Sequence, residues 1–473
     1  MATQTKKTRG IEAKAALWLA RHPGMIATPT TVTTALTQFG PVTTGSVAAG
    51  VVAAGLGWYR ADPDSYCRIA APRLRSVRRR WTRYHGHLWR KTLDACELTT
   101  DDRRTGAVLV PRVLRVSSPT PSIDIVRVKI CRGQSLRVFQ DRRDELCSAL
   151  GADVLGIEKT KPRVLTLTLV HGNPFDTTVP AVDIPDETSD VDLGAVELGD
   201  TEYGRPWTEP LIGQHWFGCG ATGSGKSGFI WNALRSLGPM IRDRQVRVWL
   251  IDPKGGMETE RARPLFEDRY ATSAPTGDDD EDDGADTMLA LLERFRDEMK
   301  ARQEHLRSQG KRKFAVGLDT PLDVLIIDEL AMLTALAGRG MTAQMNRVLA
   351  EILTQGRACG FTVCAYVQEP TKDVVPVRDL FTRRFCLRTT SASYVDMVLG
   401  EDARLRGAMA DEIPETEDYA GIGYRTTEKS RNPIRVRLGH VTDEDIDQLV
   451  RLCTPDTTDD DTAGVVLRFA ATA

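Results

Sequence analysis

The chain has 473 residues, enough for two or three domains, and its 63 Lys and Arg against 65 Asp and Glu leave a formal net charge of −2. This total hides an uneven distribution, because residues 60–91 carry ten Lys or Arg whereas 278–286 is almost wholly acidic. The nine cysteines form no C-x-x-C pair and lie at no His spacing suited to zinc, which excludes the common zinc motifs and predicts reduced cytosolic thiols.

Residues 1–60 are predicted to be a polar N-terminal tail followed by a membrane segment. No Asp, Glu, Lys or Arg occurs in 22–59, and the run from Leu36 to Tyr59 is rich in Ala, Val and Gly and long enough to span a bilayer. The run contains few Leu or Ile, and a disordered or partner-packed segment is the alternative.

Residues 61–106 are predicted to be a basic juxtamembrane segment. The cations that follow the apolar run, from Arg60 to Lys91, place the rest of the chain on the cytoplasmic side of the cell membrane by the positive-inside rule. The same cations could contact anionic lipid headgroups or nucleic-acid phosphates.

A change of pattern at residue 107 predicts a small α+β module over 107–175. Apolar residues alternate with polar ones in three short runs around a helix near 140–150, which is typical of half-buried strands. The three predicted strands are 112–116, 125–130 and 164–169. A Pro- and Asp-rich linker at 176–200 is predicted to connect this module to a motor domain at 201–452, and 453–473 is predicted to be a flexible C-terminal tail.

The motor domain contains the eight residues GATGSGKS at 220–227, which fit the P-loop template. A short apolar strand candidate at 214–217 precedes them and a helical run at 227–234 follows them, as the motif requires. A glycine-rich turn without a ligand is the alternative. The order of strand, loop and helix favours nucleotide binding.

The glycines let the backbone curl so that successive N–H groups and the start of the helix point toward a polyphosphate. Lys226 is predicted to reach the β- and γ-phosphates of ATP, and Ser227 to hold Mg²⁺. The predicted nucleotide-binding residues are Gly220, Ala221, Thr222, Gly223, Ser224, Gly225, Lys226 and Ser227.

A second carboxylate for the metal is predicted at Asp328, after the apolar run 322–327, which has the pattern of a buried parallel strand. Open α/β sheets bind ligands at the carboxyl ends of their strands, where Asp328 would lie. Glu329 follows it and is predicted to polarise the attacking water. An acidic pair that merely begins a helix is the alternative.

Further buried strands are predicted at 246–251, 361–368, 381–388 and 434–438, with an acidic surface loop at 275–286 and a helix at 287–308. Gln368 would end a strand next to that of Asp328, where it could sense the γ-phosphate. A polar strand end without such a role is the alternative.

Taken together, these motifs resemble the FtsK/SpoIIIE family of DNA-pumping ATPases, in particular the transfer proteins of actinobacterial conjugative plasmids and integrative elements. Four stretches carry the resemblance: GATGSGKS at 220–227, LIDPKGGME at 250–258, LIIDELAML at 325–333 and GRACGFTVCAYVQEP at 356–370. It covers residues 200–440 strongly and the preceding segments more loosely.

The resemblance implies an α/β fold: a RecA-like P-loop motor with a mostly parallel sheet, preceded by the small α+β module and the N-terminal membrane segment. It also implies a homo-oligomeric ring, expected to be a hexamer, around double-stranded DNA. An arginine from the neighbouring subunit should complete each site. Arg384 best matches the family pattern, with Arg357 and Arg388 as alternatives.

The function predicted is therefore an ATP-driven double-stranded DNA translocase of conjugation, associated with the membrane and with other transfer proteins. Its catalytic residues would be Lys226, Asp328, Glu329, Gln368 and Arg384. One alternative is a motor of the same kind that moves a protein, as in type VII secretion. Another is a passive DNA-binding protein in which nucleotide only sets conformation.

Overall fold

The structure is a computed structural model of the whole chain, and it describes residues 23–102, 105–175, 177–273, 284–311, 314–336, 338–427 and 430–454. It divides into two compact units, Met1–Arg78 and Arg79–Ala473. Three predicted features lie wholly or largely outside the described residues: the polar start of the chain, most of the acidic loop and nearly all of the C-terminal tail.

The described part of the first unit contains α1 at Pro23–Ala61 and most of α2, which runs from Pro63 to Thr82 and so ends in the second unit. Within α1, Gly40 has non-helical angles of φ 76° and ψ 164°, a backbone conformation that glycine adopts without steric cost. The part from Leu36 to Ala61 has a mean hydropathy of 1.4 and is long and apolar enough to cross a membrane. None of the apolar window within Leu36–Ala61 is buried, as far as the structure describes the chain.

The second unit begins with the α+β module. Its elements are α3 (Gly86–Ala95), β1 (Thr100–Asp101), β2 (Val108–Leu109), β3 (Arg112–Ser117), β4 (Ile123–Lys129), α4 (Leu136–Asp141), α5 (Arg143–Ala149), β5 (Val154–Lys161) and β6 (Val164–Val170). The strands β3, β4, β6 and β5 form an antiparallel sheet in that order. One face packs on the helices.

The core of the module extends upstream of residue 107. Trp89 and Leu93 of α3 are buried with Phe139 of α4 and Leu146 of α5 against the sheet. The aromatic residues that interrupt the basic stretch are therefore partly core residues, since the indole of Trp89 also donates a hydrogen bond to the Pro111 carbonyl (2.9 Å).

The motor follows. Its strands are β7 (Val196–Thr201), β8 (Arg205–Glu209), β9 (Trp216–Cys219), β10 (Val246–Asp252), β11 (Tyr270–Thr272), β12 (Leu322–Ile327), β13 (Phe361–Val367), β14 (Arg383–Leu387), β15 (Ile422–Thr427) and β16 (Ser430–Leu438). Its helices are α6 (Ser227–Arg242), α7 (Gly284–Ser308), α8 (Arg339–Gln355), α9 (Ala392–Leu399) and α10 (Asp443–Cys453).

All ten strands form one sheet in the order β11-β10-β12-β13-β9-β14-β15-β16-β7-β8. The pairings from β11 to β14 are parallel and those from β14 to β8 are antiparallel. Helices α7, α8 and α9 pack on one face and α6 and α10 on the other. The predicted α/β fold with a mostly parallel sheet is thus confirmed.

Four strands of the motor were not predicted from the sequence. β11, only three residues long, pairs with β10 at one end of the sheet. β7 and β8 form a hairpin at the other end, and β7 begins inside the segment that was predicted as a linker. β15 joins the parallel half to the antiparallel half. These strands are short and rich in Gly, Thr or charged residues, so their apolar periodicity is weak.

Glu202, directly after β7, is a buried carboxylate at the junction of module and motor. It lines a cavity of about 560 Å³ between the open face of the module sheet and β16, and it is only 6% exposed. Burial raises the pKa of Glu202 to about 7, although Arg435 opposes the rise. The folded state therefore holds a proton on this carboxyl that the unfolded chain releases near pH 4.5.

We expect this proton to make stability depend on pH. The contribution is complete below the unfolded pKa and is lost as pH rises through the folded pKa, so the free energy of unfolding should fall by roughly 2 kcal/mol between pH 5 and pH 8. In Glu202→Gln this decline should disappear, whereas the exposed control Glu304→Gln should retain it. Urea denaturation at four pH values measures the effect, and equal pH dependence in both variants would contradict it.

Candidate nucleotide site

The P-loop joins the carboxyl end of β9 to the start of α6, and β9 lies between β13 and β14 in the sheet. Both neighbouring strands hold the loop: the N–H of Gly220 donates to the Val367 carbonyl (3.0 Å) and that of Ala221 to the Arg388 carbonyl (2.7 Å). The loop therefore begins at the edge of the sheet where the neighbouring parallel strands also end.

Two glycines of the loop have a left-handed backbone, Gly223 with φ 71° and Gly225 with φ 85°. Space is a second constraint, since a Cβ on Gly225 would lie 2.6 Å from the backbone nitrogen of Gly421. The Gly421 N–H in turn donates to the Ser224 carbonyl (2.9 Å). The turn before β15 thus packs directly against the phosphate-binding loop.

Lys226 extends back into the loop. Its Nζ donates to the carbonyls of Gly220 (2.8 Å) and Ala221 (3.1 Å), and the residue is only 9% exposed. Burial lowers the pKa of Lys226, while the nearby Glu329 raises it. The ammonium is therefore held inside the loop beside the two predicted carboxylates.

Asp328 and Glu329 follow β12 at the same edge, both buried. Lys254 Nζ lies 2.7 Å from Oδ2 of Asp328, and the Lys254 N–H donates to Asp252 at the end of β10 (3.0 Å). This lysine was not predicted as a site residue. The sequence did contain a signal for it, because Lys254 lies in the stretch Asp-Pro-Lys-Gly-Gly directly after the buried strand β10, which pairs with β12.

Glu329 is the less satisfied carboxylate. Oε1 accepts a hydrogen bond from the Gln368 N–H (3.3 Å), and Oε2, although buried, has no hydrogen-bond partner within the described ranges. Burial raises the pKa of Glu329, with the positive charges of Lys254 and Lys226 opposing the rise. An oxygen without a partner in such a place is available to accept a proton or a hydrogen bond.

Gln368 connects this glutamate to the P-loop. It follows β13, which pairs with β12 on one side and β9 on the other. Its side-chain Oε1 accepts a hydrogen bond from Thr222 Oγ1 (2.9 Å), while its backbone N–H donates to Glu329. A displacement of the loop at Thr222 would therefore change the position of Glu329, because Gln368 is hydrogen-bonded to both residues.

The structure separates the three candidate arginines. Arg388 lies at the site of its own chain, where it donates to the Thr222 carbonyl (2.6 Å) and pairs with Glu415 (3.0 Å). Arg384 pairs in register with Phe217, toward the amino end of β9, and is 3.5 Å from Asp379. Arg357 donates to the carbonyl of Gly213 (2.7 Å), before β9 begins. Arg384 and Arg357 thus lie toward the opposite edge of the sheet.

The loop, Lys254, Asp328 and Gln368 line one side of a cavity of about 720 Å³. The other side comes from α6 and the segment around β16, including Trp231, Arg437 and His440, which the sequence analysis did not single out. The volume lies in the usual range for small-molecule sites. No signal in the sequence marked Arg437 and His440, because they enter the cavity only when β16 joins the sheet. Trp231 lies on the first turns of α6, directly after the loop.

The donor set fits ATP and Mg²⁺. The curled loop offers N–H groups to phosphates, and Ser227 and Asp328 offer a hydroxyl and a carboxylate oxygen, the ligand type that Mg²⁺ takes. In the described part of the chain no group of three or more His, Cys, Asp or Glu could hold a metal. Mg²⁺ needs no such group, because it commonly keeps several waters and takes one or two protein ligands besides phosphate oxygens.

The FtsK/SpoIIIE family model matches residues 188–335. DNA translocase FtsK of Halalkalibacterium halodurans is 24% identical over 322 residues, which are 63% of this chain and 36% of that protein. DNA translocase SftA of Bacillus subtilis is 28% identical over 250 residues, 49% of this chain and 23% of that protein. The chain thus spans about a third or less of the length of these relatives.

Two solved structures are also among those that are similar to this chain. The monomer form of the pCW3 conjugation coupling protein TcpA with ATPγS is 18% identical, with 77% of this chain and 98% of that chain covered and a TM-score of 0.48. The cytoplasmic domain of the type VII secretion ATPase EccC of Thermomonospora curvata is 22% identical, with coverage of 60% and 34% and a TM-score of 0.43. The similarity to the FtsK/SpoIIIE family is thus shown for residues 188–335 of this chain.

Proposed function

We propose that the protein hydrolyses ATP to move double-stranded DNA. The observation that carries the hydrolytic part is Glu329, a buried carboxylate at the same edge of the sheet as the P-loop lysine. One of its oxygens has no hydrogen-bond partner among the described residues. The DNA part is supported by the family of the matched segment and by the curated relatives, which are DNA translocases.

Within this proposal the backbone N–H groups of 220–227 bind the phosphates, and Lys226 stabilises the charge that develops on the transferred phosphoryl group. Mg²⁺, held by Ser227 and Asp328, would neutralise charge on the phosphate oxygens. Lys254 shares Asp328 and adds a second cation to the site. Glu329 accepts the proton of the attacking water or orients it.

Gln368 is proposed as the sensor of nucleotide state. Its two hydrogen bonds reach Thr222 in the loop and Glu329 in the acidic pair, so a shift of the loop on phosphate binding alters the position of the glutamate. This arrangement would couple the presence of the γ-phosphate to the readiness for hydrolysis.

The proposed assembly is a homo-oligomeric ring, expected to be a hexamer. An arginine that completes the site of a neighbour must lie away from the P-loop of its own chain. Arg384 and Arg357 meet this condition, whereas Arg388 binds the loop of its own chain. Arg384 remains our first choice, because it matches the family pattern.

We further propose that α1 anchors the ring to the cell membrane with the motor on the cytoplasmic side, and that the DNA moved is that of a conjugative element, with other transfer proteins as partners. The exposed apolar run Leu36–Ala61 and the cations that follow it support the anchor. The conjugative role rests on the sequence resemblance.

The first expected outcome concerns turnover. Lys226→Ala should lower ATP hydrolysis by orders of magnitude, because no other side chain of the loop carries a full positive charge to the phosphate. The wild-type protein should hydrolyse ATP faster with random-sequence duplex DNA, and the surface control Lys300→Ala should behave like it. A steady-state assay with and without DNA measures both. Stimulation by a protein substrate instead would favour the secretion alternative, and no stimulation the passive one.

The second expected outcome separates binding from hydrolysis. Glu329→Gln keeps the size and the hydrogen bond to Gln368 but removes the charge, so ATP should bind with near-normal affinity while turnover falls at least a hundredfold. Equilibrium binding of a fluorescent ATP analogue and the turnover assay give the two quantities. Glu444→Gln, on an exposed helix turn, is the matched control. A loss of nucleotide binding in Glu329→Gln would show that the residue is structural.

The third expected outcome tests the anchor. Without residues 1–61 the remaining chain should stay in the supernatant after ultracentrifugation and retain ATP binding, because the apolar helix is removed and the nucleotide site is kept. The full chain should remain in the membrane fraction after a carbonate wash. Release of the full chain by that wash would refute the membrane assignment.

A further inference from the structure

We propose that the open face of the module sheet binds the phosphate backbone of duplex DNA; this inference rests on the proposed function. The face is the one turned away from α3, α4 and α5. We call its cations the basic face, defined by Arg112, Arg115, Arg127 and Lys129.

Strand register brings these cations together in pairs. Arg112 lies opposite Lys129, and Arg115 lies opposite Arg127, across the antiparallel pairing of β3 and β4. All four are exposed, whereas the alternate residues Val126 and Val128 are buried in the core. A bulge between Val113 and Arg115 shifts the register between the two pairs. Like charges directly opposite each other on neighbouring strands destabilise a sheet. The two like-charge pairs on this face therefore do not stabilise the fold, and their presence needs another explanation.

Carboxylates of the protein do not neutralise the charges of these four cations. Within the described ranges no carboxylate lies within ion-pair distance of any of the four. Arginines in the motor behave differently: Arg247 pairs with Asp323 at 2.7 Å and Arg404 with Asp411 at 2.9 Å. An anion from outside the chain is the simplest source of compensation for the basic face.

The row of Arg112 and Lys129 continues across the sheet through Val164 to Lys161, a further exposed cation. The row of Arg115 and Arg127 continues through Thr166 to Glu158, on the second strand from Arg127 and so about 10 Å away. Arg127 also lines the cavity of about 560 Å³ shared with Arg406 and Arg435 of the motor. Two carboxylates, Glu158 and Glu202, line the same cavity, so the positive surface proposed here is that of the four cations of the basic face.

The geometry favours phosphates over bases. Arg127 and Lys129 are two residues apart on one strand, about 7 Å, and the pairs across strands are about 5 Å apart, so several phosphates of a duplex are within reach of these long side chains. Contacts to phosphates alone carry no sequence information. Binding that is independent of sequence suits a translocase that moves along any DNA.

An anionic lipid surface is the competing partner. Cations that meet a bilayer are commonly accompanied by aromatic residues at the interface. The two rows consist of Arg112, Lys129, Val164, Lys161, Arg115, Arg127, Thr166 and Glu158, with no aromatic side chain among them. The face is therefore assigned to DNA.

The test compares two double variants of the full chain in detergent. Arg115→Gln/Arg127→Gln removes one like-charge pair of the basic face. Arg132→Gln/Arg137→Gln removes the same charge from exposed positions, the second of them on α4 at the other side of the sheet. Fluorescence anisotropy with a random 30-base-pair duplex between 50 and 200 mM NaCl gives the dissociation constant and its salt dependence.

For Arg115→Gln/Arg127→Gln we expect weaker binding at 50 mM salt and a slope of log K against log salt that is shallower by about 2, since each phosphate contact contributes roughly 0.9. The ratio of its dissociation constant to that of the wild type should shrink about tenfold between 50 and 200 mM. The control should keep the wild-type slope. Basal ATP hydrolysis without DNA should be unchanged in both.

Folding and partner identity are checked in the same samples. The thermal midpoint of the first variant should be no lower than that of the wild type, because a like-charge pair has been removed. If that variant nevertheless unfolds, Arg112→Gln/Lys129→Gln replaces it with the same expected loss. A variant that matches the control in slope and affinity would overturn the inference and leave the proposed function standing.

Two further outcomes are also decisive. If the wild-type chain binds no duplex at any salt concentration, both the inference and the DNA part of the proposed function are wrong. If the variant keeps its DNA affinity but loses binding to vesicles with phosphatidylserine, the basic face belongs to the membrane and the inference is overturned.

Discussion

The position of β9 between β13 and β14, parallel to both, is the constraint on which the rest of the molecule depends. Parallel neighbours end at the same edge of a sheet, so the backbone that leaves β9 can bond to carbonyls that follow both flanking strands. The hydrogen bonds from Gly220 to Val367 and from Ala221 to Arg388 are the result. Had β9 been an edge strand, the loop would have had one such support instead of two.

The same order of strands builds the charged interior of the site. β13 separates β9 from β12, so Gln368 lies between the loop and the acidic pair and is bonded to both. β10 lies on the far side of β12 and supplies Lys254 to Asp328. Two lysines and two carboxylates thus meet in a partly desolvated place where each lowers the cost of burying the others.

The cations of the small module differ from those of the motor in their surroundings. In the motor, arginines such as Arg247 and Arg404 are paired and serve packing. On the open face of the module, Arg112 lies opposite Lys129 and Arg115 opposite Arg127, and none of these four cations has an ion-pair partner among the described residues. The basic stretch upstream likewise has two parts, because its aromatic residues Tyr84 and Trp89 fill the core of the module while many of its arginines remain exposed.

Much of the site was determined by local sequence. The P-loop is contiguous, its glycines are needed for backbone angles that other residues rarely adopt, and a buried strand that ends in Asp328 and Glu329 is recognisable from its apolar run. The apolar segment at 36–61 needs only length and composition to be noticed. Each of these signals is formed by residues that are consecutive in the chain, so it can be recognised without knowledge of contacts between distant residues.

Other features were decided by tertiary structure alone. Lys254 contacts Asp328, 74 positions away, only because β10 pairs with β12, and Arg388 and Arg384 are distinguished only by which end of β14 each occupies. The pairs of cations on the module exist only in the register of β3 with β4. Register and strand order arise from the packing of the whole sheet, and the local apolar periodicity of the sequence does not determine them.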